Sequence, residues 1–222
     1  MTTRDRLLKT KEFLVIQAYY VGVYFIIAEL TRFRTDIHHL ALPFEKNIPL
    51  LPALIFAYFM NFCVLAFAYI FVEDLAFFRK MVKAFFIGTT IHFIIFLAFP
   101  VEYNLRPVVN PDQGWAYFLV YFYYWMDPPY NCFPSMHVSN CFLVAFLMHR
   151  YRSWLSWILH PIAISVAVSV VLVKQHYVVD VVAGFLVAWG VNAWVFRKET
   201  VGLAISENDS LKAERLSGLI QE

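Results

Sequence analysis

Long apolar runs recur along this chain and constrain its fold more than any other feature. Most approach the roughly 20 residues that a helix needs to cross a bilayer. Water is absent from the hydrocarbon region, so the backbone N–H and C=O groups of a spanning segment must pair within the protein, and α-helices achieve this. We predict an all-α integral membrane bundle of six spans. The runs are residues 13–30, 48–72, 84–100, 134–148, 154–173 and 175–194.

Composition agrees with a membrane location. The chain has 222 residues, of which 61% are hydrophobic and only 15% charged, whereas soluble domains carry about 25% charged residues. We expect an N-terminal segment over residues 1–12, one membrane domain over 13–196 and a polar tail over 197–222. The net charge is only +2, and the basic residues are dispersed along the chain. Both observations argue against a nucleic-acid partner.

An aromatic run over residues 115–125 precedes the fourth predicted span. At about 1.5 Å per residue it covers little more than half of a 30 Å hydrocarbon core, so it is too short to cross. Tryptophan and tyrosine favour the headgroup level of a membrane. We predict a short interfacial helix here, which could line an opening for lipid.

The basic residues predict an orientation. With six spans, thirteen of the 18 Lys and Arg residues fall on the side that carries both termini. Because cytoplasmic loops are enriched in Lys and Arg, we expect both termini in the cytoplasm. The other five basic residues then lie on the extracytoplasmic side; they are Arg32, Arg34, Lys46, Arg106 and Lys174.

Ionisable residues in the second half of the chain gather at that extracytoplasmic side. His176 and Asp180 are four residues apart, so on one helix face the carboxylate would fix the tautomer of the imidazole. The other ring nitrogen would then be free to act as a nucleophile or a general base. The His-x-x-x-Asp spacing alone is common, and in a soluble helix it would indicate a surface pair.

Groups suited to an anion accompany this pair. Ser135 and His137 stand at the predicted start of the fourth span, where free amide donors and the positive end of the helix dipole favour a phosphate. Arg106 offers a planar fork that matches phosphate oxygens, and Lys174 adds a point charge two residues before His176. Together these residues predict a phosphate site with two histidines.

We assign no chemical role to the other candidate residues. A metal site at His38 and His39 is an alternative, but adjacent side chains point apart on a helix, so a solvated interfacial pair is the preferred interpretation. His92 lies within an apolar run, where a packed residue is the preferred interpretation and indirect support of the site the alternative. The three cysteines lack metal-ligand spacing and are interpreted as packing residues.

Three short motifs resemble the signature of a membrane enzyme family. In order and interval they are similar to the signature of type-2 phosphatidic acid phosphatases, whose core is shared with vanadium haloperoxidases. The sequences around the two histidines look most like the branch that includes inositol phosphorylceramide synthases and their bacterial relatives. The motifs are Arg106-Pro107, Pro134-Ser135-Met136-His137, and Ser169 with His176 and Asp180.

The resemblance implies a covalent mechanism that requires no metal or cofactor. His176 would attack phosphorus and form a phosphohistidine, Asp180 would orient His176, and His137 would protonate the leaving oxygen. The residues implied to hold the phosphoryl oxygens are Arg106, Ser135 and Lys174.

The chain also departs from the family pattern at three positions. Phe99 stands where the first motif has lysine, Met136 replaces a glycine, and Val170 replaces an arginine before the nucleophile. Lys174 is the expected replacement for the missing cations.

We therefore expect an enzyme that cleaves or transfers a phosphate ester on a lipid. Its expected partners are the membrane lipids and, for a transfer reaction, a second lipid or alcohol acceptor. Hydrolysis and headgroup transfer would share one intermediate and differ in whether water or an alcohol resolves it. Two alternatives stay open: a transporter or binding protein without covalent chemistry, and an inactive relative that only binds lipid phosphate.

Overall fold

The computed structural model describes residues 1–197, which form seven α-helices and no β-strand. Three single turns of 3-10 helix lie in the connections. The predicted all-α class is confirmed for this part of the chain. The helices are α1 (Thr3–Arg32), α2 (Ile55–Phe71), α3 (Leu75–Ala98), α4 (Trp115–Met126), α5 (Met136–Tyr151), α6 (Ser153–Leu172) and α7 (Val178–Arg197).

Five of these helices are long and apolar enough to cross a membrane. They are α1, α2 with the turn before it, α3, α6 and α7. Helix α5 has 16 residues, which at 1.5 Å per residue gives about 24 Å and falls short of a 30 Å core. The chain is therefore an integral membrane protein with five spans of full length among its described residues.

Helix α5 occupies the centre of the bundle. Residues 136–145 are all buried, including the polar residues Ser139 and Asn140. Helices α2, α3 and α6 pack against α5, and Phe185 of α7 meets the ring of Phe142 at 4.9 Å. A helix covered on every side buries its whole circumference, so the motif at the start of α5 lies inside the protein.

Helix α1 begins ten residues before the predicted span. Thr2 and Asp5 form a capping box, in which the Asp5 amide donates to the Thr2 hydroxyl at 3.2 Å and the Thr2 amide donates to the Asp5 carboxylate at 3.0 Å. Such a box satisfies amides that a helix start leaves unpaired. Lys9 is buried and donates to the carbonyls of Tyr69 and Val72 at the end of α2.

Helix α3 also begins earlier than its predicted span. The interpretation of residues 73–83 as a link is wrong from Leu75 onward, because Asp74 caps the helix by accepting the Phe77 amide at 2.6 Å. Arg79 in this first part pairs with Glu12 of α1 at 2.8 Å. Charged residues thus extend α3 beyond its apolar run and pair with α1.

Helix α4 corresponds to the predicted short aromatic helix. One face packs inward, where the rings of Tyr123 and Tyr58 lie 4.6 Å apart. Trp115, Phe118 and Trp125 are exposed on the other face. The predicted tail lies outside the described residues apart from Arg197.

Candidate active site

His176 and Asp180 meet where the chain passes from α6 into α7. Helix α7 begins at Val178, so His176 precedes the helix and the predicted placement on one helix face is wrong. The Asp180 carboxylate accepts the Tyr177 amide at 2.9 Å and lies 3.3 Å from His176 Nδ1. Asp180 therefore contacts the histidine as part of a helix cap, and both residues are buried.

His137 approaches His176 from the first turn of α5. Its Nδ1 atom lies 3.1 Å from His176 Nε2. Ser135 caps α5 by accepting the Val138 amide at 3.4 Å, and its own amide donates to the Asp180 carbonyl at 3.0 Å. The backbone bond between Ser135 and Asp180 holds the start of α5 against the start of α7 and brings the two histidines together.

Gly184 permits this close approach of α5 and α7. A Cβ atom at Gly184 would lie 2.4 Å from the carbonyl oxygen of Ser135, a distance that real side chains do not tolerate. A residue without a Cβ atom is the usual solution where another backbone comes this close. Gly184 therefore positions Ser135 and, through it, the start of the helix that carries His137.

Arg106 contacts Gln175, the residue directly before His176. Its guanidinium group stacks 4.6 Å above the Tyr124 ring, donates to the Asp127 carbonyl at 2.9 Å and donates to the side chain of Gln175. The buried donors Arg106 Nε and Gln175 Nε2 have no acceptor among the described residues. Buried donors normally have partners, and a phosphoryl oxygen would supply one.

Lys174 points toward a different part of the protein. It adopts a left-handed backbone conformation with φ 58°, which is unusual for a residue with a side chain. Its ammonium nitrogen donates to the Glu45 carbonyl at 3.1 Å, and burial lowers the pKa of the group. Lys174 thus ties the residues before α7 to the connection after α1, and its role as a phosphate ligand stays a prediction.

The same connection supports the start of α7. The Glu45 carboxylate accepts the Val178 amide at 2.5 Å and the Leu42 amide at 2.6 Å. Glu45 lies between α1 and α2, in the connection that also carries His38 and His39. Its burial beneath the site depends on tertiary packing, so no local sequence pattern could have identified it.

Burial makes the neutral form of His176 the dominant one. It lowers the pKa of His176 to about 4, because the surrounding protein disfavours a charged imidazole. With Asp180 ionised and both rings neutral, one proton arrangement satisfies every contact. Nδ1–H of His176 donates to Asp180, Nδ1–H of His137 donates to His176 Nε2, and the Tyr58 hydroxyl donates to His137 Nε2 over 2.7 Å.

In this arrangement the lone pair of His176 Nε2 accepts the His137 proton, and a nucleophile at neutral pH requires such a lone pair on an unprotonated nitrogen. His137 Nδ1 presents a proton along the same line. The geometry thus combines a nucleophilic nitrogen with a proton donor facing it.

Three polar residues of the site were missed in the sequence. Asp127 and Tyr58 lie behind His137, and Gln175 binds Arg106. A carboxylate directly after the aromatic run of α4 was the available signal for Asp127. Gln175 could have been suspected from its place beside His176, whereas nothing local distinguishes Tyr58 from other tyrosines.

Cys132, His176 and Asp180 could together hold a metal. Each offers one ligand atom, and these atoms lie within 4.8 Å of one another. In the structure, the Cys132 thiol donates to the Pro129 carbonyl at 3.2 Å and the His176 imidazole contacts Asp180. The expectation of metal-free chemistry stays a prediction.

Three of the other histidines have partners of their own. His92 is buried, and its Nδ1 atom lies 2.7 Å from the Gly88 carbonyl of its own helix. His38 stacks on Phe99 with ring centroids 4.2 Å apart, and His39 Nδ1 lies 3.1 Å from the Glu102 carbonyl.

The fold and the site define a helical membrane protein with a buried histidine pair and a carboxylate. Residues 33–194 match the family model of the PAP2 superfamily, and the chain belongs to this superfamily. The resemblance seen in the motifs is confirmed at the level of the family. No significant match to the chain is found among curated proteins or among solved structures.

Proposed function

We propose that the protein is a phosphatase or phosphotransferase for lipid phosphate esters that works through a phosphohistidine on His176. Membership of the PAP2 superfamily supports the phosphatase or phosphotransferase class. The observation that carries the proposal is the 3.1 Å contact between His176 Nε2 and His137 Nδ1, with Asp180 on the far side of His176. It supplies a nucleophile and an acid in one line.

In the first step the phosphoryl group separates the two rings. His137 enters this step protonated on both nitrogens. His176 Nε2 forms a bond to phosphorus, the bond from phosphorus to the ester oxygen breaks, and the His137 Nδ1 proton passes to that oxygen, which leaves His137 neutral. In the second step a water or an alcohol attacks phosphorus, gives its proton to His137 and releases His176. The rings must move apart by several ångströms to admit the substrate, because they contact each other in this structure.

Arg106 and Ser135 are the proposed phosphate ligands. Arg106 Nε and Gln175 Nε2 are donors that find no acceptor within residues 1–197, and the amides at the start of α5 favour an anion. Lys174 is the third proposed ligand, although it would first have to leave the Glu45 carbonyl. Charge-assisted bonds of this kind stabilise charge on the transferring group.

An apolar cavity supports a lipid as the alcohol half of the ester. A cavity of about 210 Å³ opens among α1, α2 and α4, and His137 and Asp127 form its polar end. Side chains such as Tyr20, Phe25, Phe62 and Met126 line the remainder. An apolar cavity that ends in a few polar groups is typical of a small-molecule site, and His137 faces the ester oxygen in the proposed mechanism.

The proposed topology has six crossings, with the short α5 as the fourth. It places both termini in the cytoplasm and the two histidines toward the extracytoplasmic face, as the distribution of basic residues indicates. Helix α4 would then lie at the membrane interface. A cysteine introduced at Asp112, before α4, should react with an impermeant reagent added outside, and reaction only after the inner face is opened would contradict this orientation.

The activity is tested with purified protein and a lipid phosphate such as phosphatidic acid, with and without a lipid alcohol acceptor. Release of orthophosphate would identify a phosphatase. Formation of a new phosphoester would identify a transferase, as the resemblance to the inositol phosphorylceramide synthase branch suggests. An EDTA arm tests metal independence, and a wild-type rate in His176→Ala would contradict the proposal.

A further inference from the structure

Asp127 is a buried carboxylate that belongs to none of the three family motifs. It follows α4 directly and is 7% exposed. Its Oδ1 atom accepts a hydrogen bond from the Tyr24 hydroxyl at 2.8 Å, and its Oδ2 atom lies 3.5 Å from the Tyr58 hydroxyl. Buried carboxylates are costly unless they are paired, so its place behind the histidine pair calls for a function.

Tyr58 connects this carboxylate to His137. The residue is fully buried on α2, and its hydroxyl lies 2.7 Å from His137 Nε2. A phenol has one proton, yet two acceptors face it, the imidazole nitrogen and the carboxylate. The direction in which the hydroxyl donates must therefore depend on whether His137 carries one proton or two.

We propose that Tyr58 and Asp127 are positioning residues that favour the protonated form of His137 during phosphoryl transfer. This inference rests on the proposed function, because it assigns a partner to the general acid of that mechanism. The pair acts from the side of His137 opposite His176.

The hydrogen bonds explain how the pair acts. When His137 is neutral, Tyr58 donates to Nε2. When His137 is protonated, Nε2–H donates to the phenol oxygen, and the phenol proton turns to Asp127. The Asp127 carboxylate then stabilises the imidazolium through one hydroxyl, and the phenol proton stays on Tyr58.

The groups around His137 come from four parts of the chain. Tyr58 approaches from α2, and Asp127 lies after α4 with Tyr24 of α1 bonded to its other oxygen. His176 approaches from the residues before α7. Asp127 is the carboxylate on the Tyr58 side, so its removal should make the protonated form of His137 less stable.

The test compares two phosphate monoesters that differ in their leaving groups. The leaving group of dodecyl phosphate is an alkoxide that needs a proton, whereas the leaving group of 4-nitrophenyl phosphate is a phenolate that is stable without one. Tyr58→Phe and Asp127→Asn should lower kcat for dodecyl phosphate about tenfold and change kcat for 4-nitrophenyl phosphate little, because general-acid catalysis matters only for the poor leaving group. The alkaline limb of the dodecyl phosphate pH profile should move to lower pH by about one unit.

Tyr69→Phe is the matched control. It removes a hydroxyl that bonds Thr10 at 2.7 Å near the other end of α2, and it should change neither the ratio of the two rates nor the pH profile. If Asp127→Asn fails to fold, Tyr58→Phe still tests the inference, because this variant keeps the ring that packs on Tyr123.

Two results would overturn the inference. Equal losses on both esters with an unmoved alkaline limb would make Tyr58 and Asp127 packing residues, and unchanged rates would leave them without a role. Capture of a phosphoryl adduct on His176 in the wild-type protein serves as the separate arm. Its absence would defeat the proposed function itself, whatever the two variants do.

Discussion

The two histidines of the site are supported in different ways. His176 lies before α7 and contacts the carboxylate of Asp180 directly, at 3.3 Å. His137 lies on α5 and reaches the carboxylate of Asp127 only through the hydroxyl of Tyr58. Backbone bonds and caps surround the first histidine, whereas aromatic side chains and an apolar cavity surround the second.

This difference is the basis of the roles that we propose for the two histidines. A carboxylate in direct contact fixes one tautomer and leaves a lone pair on the far nitrogen, which suits a nucleophile. A carboxylate reached through a hydroxyl allows the imidazole to gain and lose a proton as the hydroxyl turns, which suits an acid and base. The apolar surroundings of His137 are also the reason why the proposed mechanism has the alcohol depart on its side.

Replacing Asp180 should have the largest effect and should not discriminate between substrates. Asp180→Asn keeps a group that can accept the Tyr177 amide but removes the charge beside His176. We expect turnover to fall on the order of 10⁴-fold for dodecyl phosphate and for 4-nitrophenyl phosphate alike, because both need the nucleophile. Thermal unfolding of the variant in detergent checks that the fold is kept.

A loss confined to dodecyl phosphate would break the comparison between the two histidines. It would assign Asp180 to the acid step, for which we propose Tyr58 and Asp127 instead. The parallel measurement on Tyr58→Phe shows whether the two halves of the site separate.

Gly184→Ala should test the contact between the start of α5, which carries His137, and the start of α7, which carries Asp180. The added Cβ would meet the Ser135 carbonyl at 2.4 Å, so the start of α5 must shift away from α7. Since a displacement of about 1 Å can cost about a hundredfold in rate, we expect turnover to fall by about that factor. The loss should affect both esters, because the contact between His137 and His176 is disturbed.

Gly190→Ala provides the control for this substitution. It lies on the same helix, and a Cβ there would meet nothing within 4 Å. Near-normal turnover in Gly184→Ala would show that the close approach of α5 and α7 does not position the site.

Lys174→Ala should have the smallest effect on turnover. The sequence predicts a phosphate ligand worth about a hundredfold, but the ammonium group donates to the Glu45 carbonyl. We expect a loss of about tenfold or less together with a lower Tm, because the support beneath His176 is weakened. A hundredfold loss at unchanged Tm would establish the phosphate ligand.

Lys174→Gly separates the two contributions of this residue. It also removes the ammonium group, but glycine adopts the left-handed conformation at φ 58° without a steric penalty. Its Tm should therefore lie above that of Lys174→Ala.

Much of the fold could be predicted because apolar runs report directly on membrane helices. The runs predicted the all-α class and most of the helices. The first residues of the helices were harder to predict, because α1 and α3 begin among charged residues outside the apolar runs. Their N-caps are Thr2 and Asp74. The central position of α5 could not be predicted either. In the sequence α5 is only a short apolar run, and its burial results from packing with its neighbours.

The site also contains residues that could be predicted from the sequence and residues that could not. His137, His176 and Asp180 stand in local motifs, and the structure brings them together. Their geometry needed the structure, because the contact of His176 with Asp180 arises at a helix cap. Tyr58 and Asp127 come from separate helices and meet only in the folded bundle, so no spacing in the sequence connects them to His137.

The most direct test of this account is to capture the phosphoryl group on His176. The protein is incubated with a phosphate monoester, stopped in base, digested and analysed by mass spectrometry. We expect an acid-labile phosphoryl adduct on the peptide that carries His176, absent in His176→Ala and present with 4-nitrophenyl phosphate in His137→Ala. Turnover without any such adduct, or an adduct on His137 instead, would contradict the assignment of the two histidines.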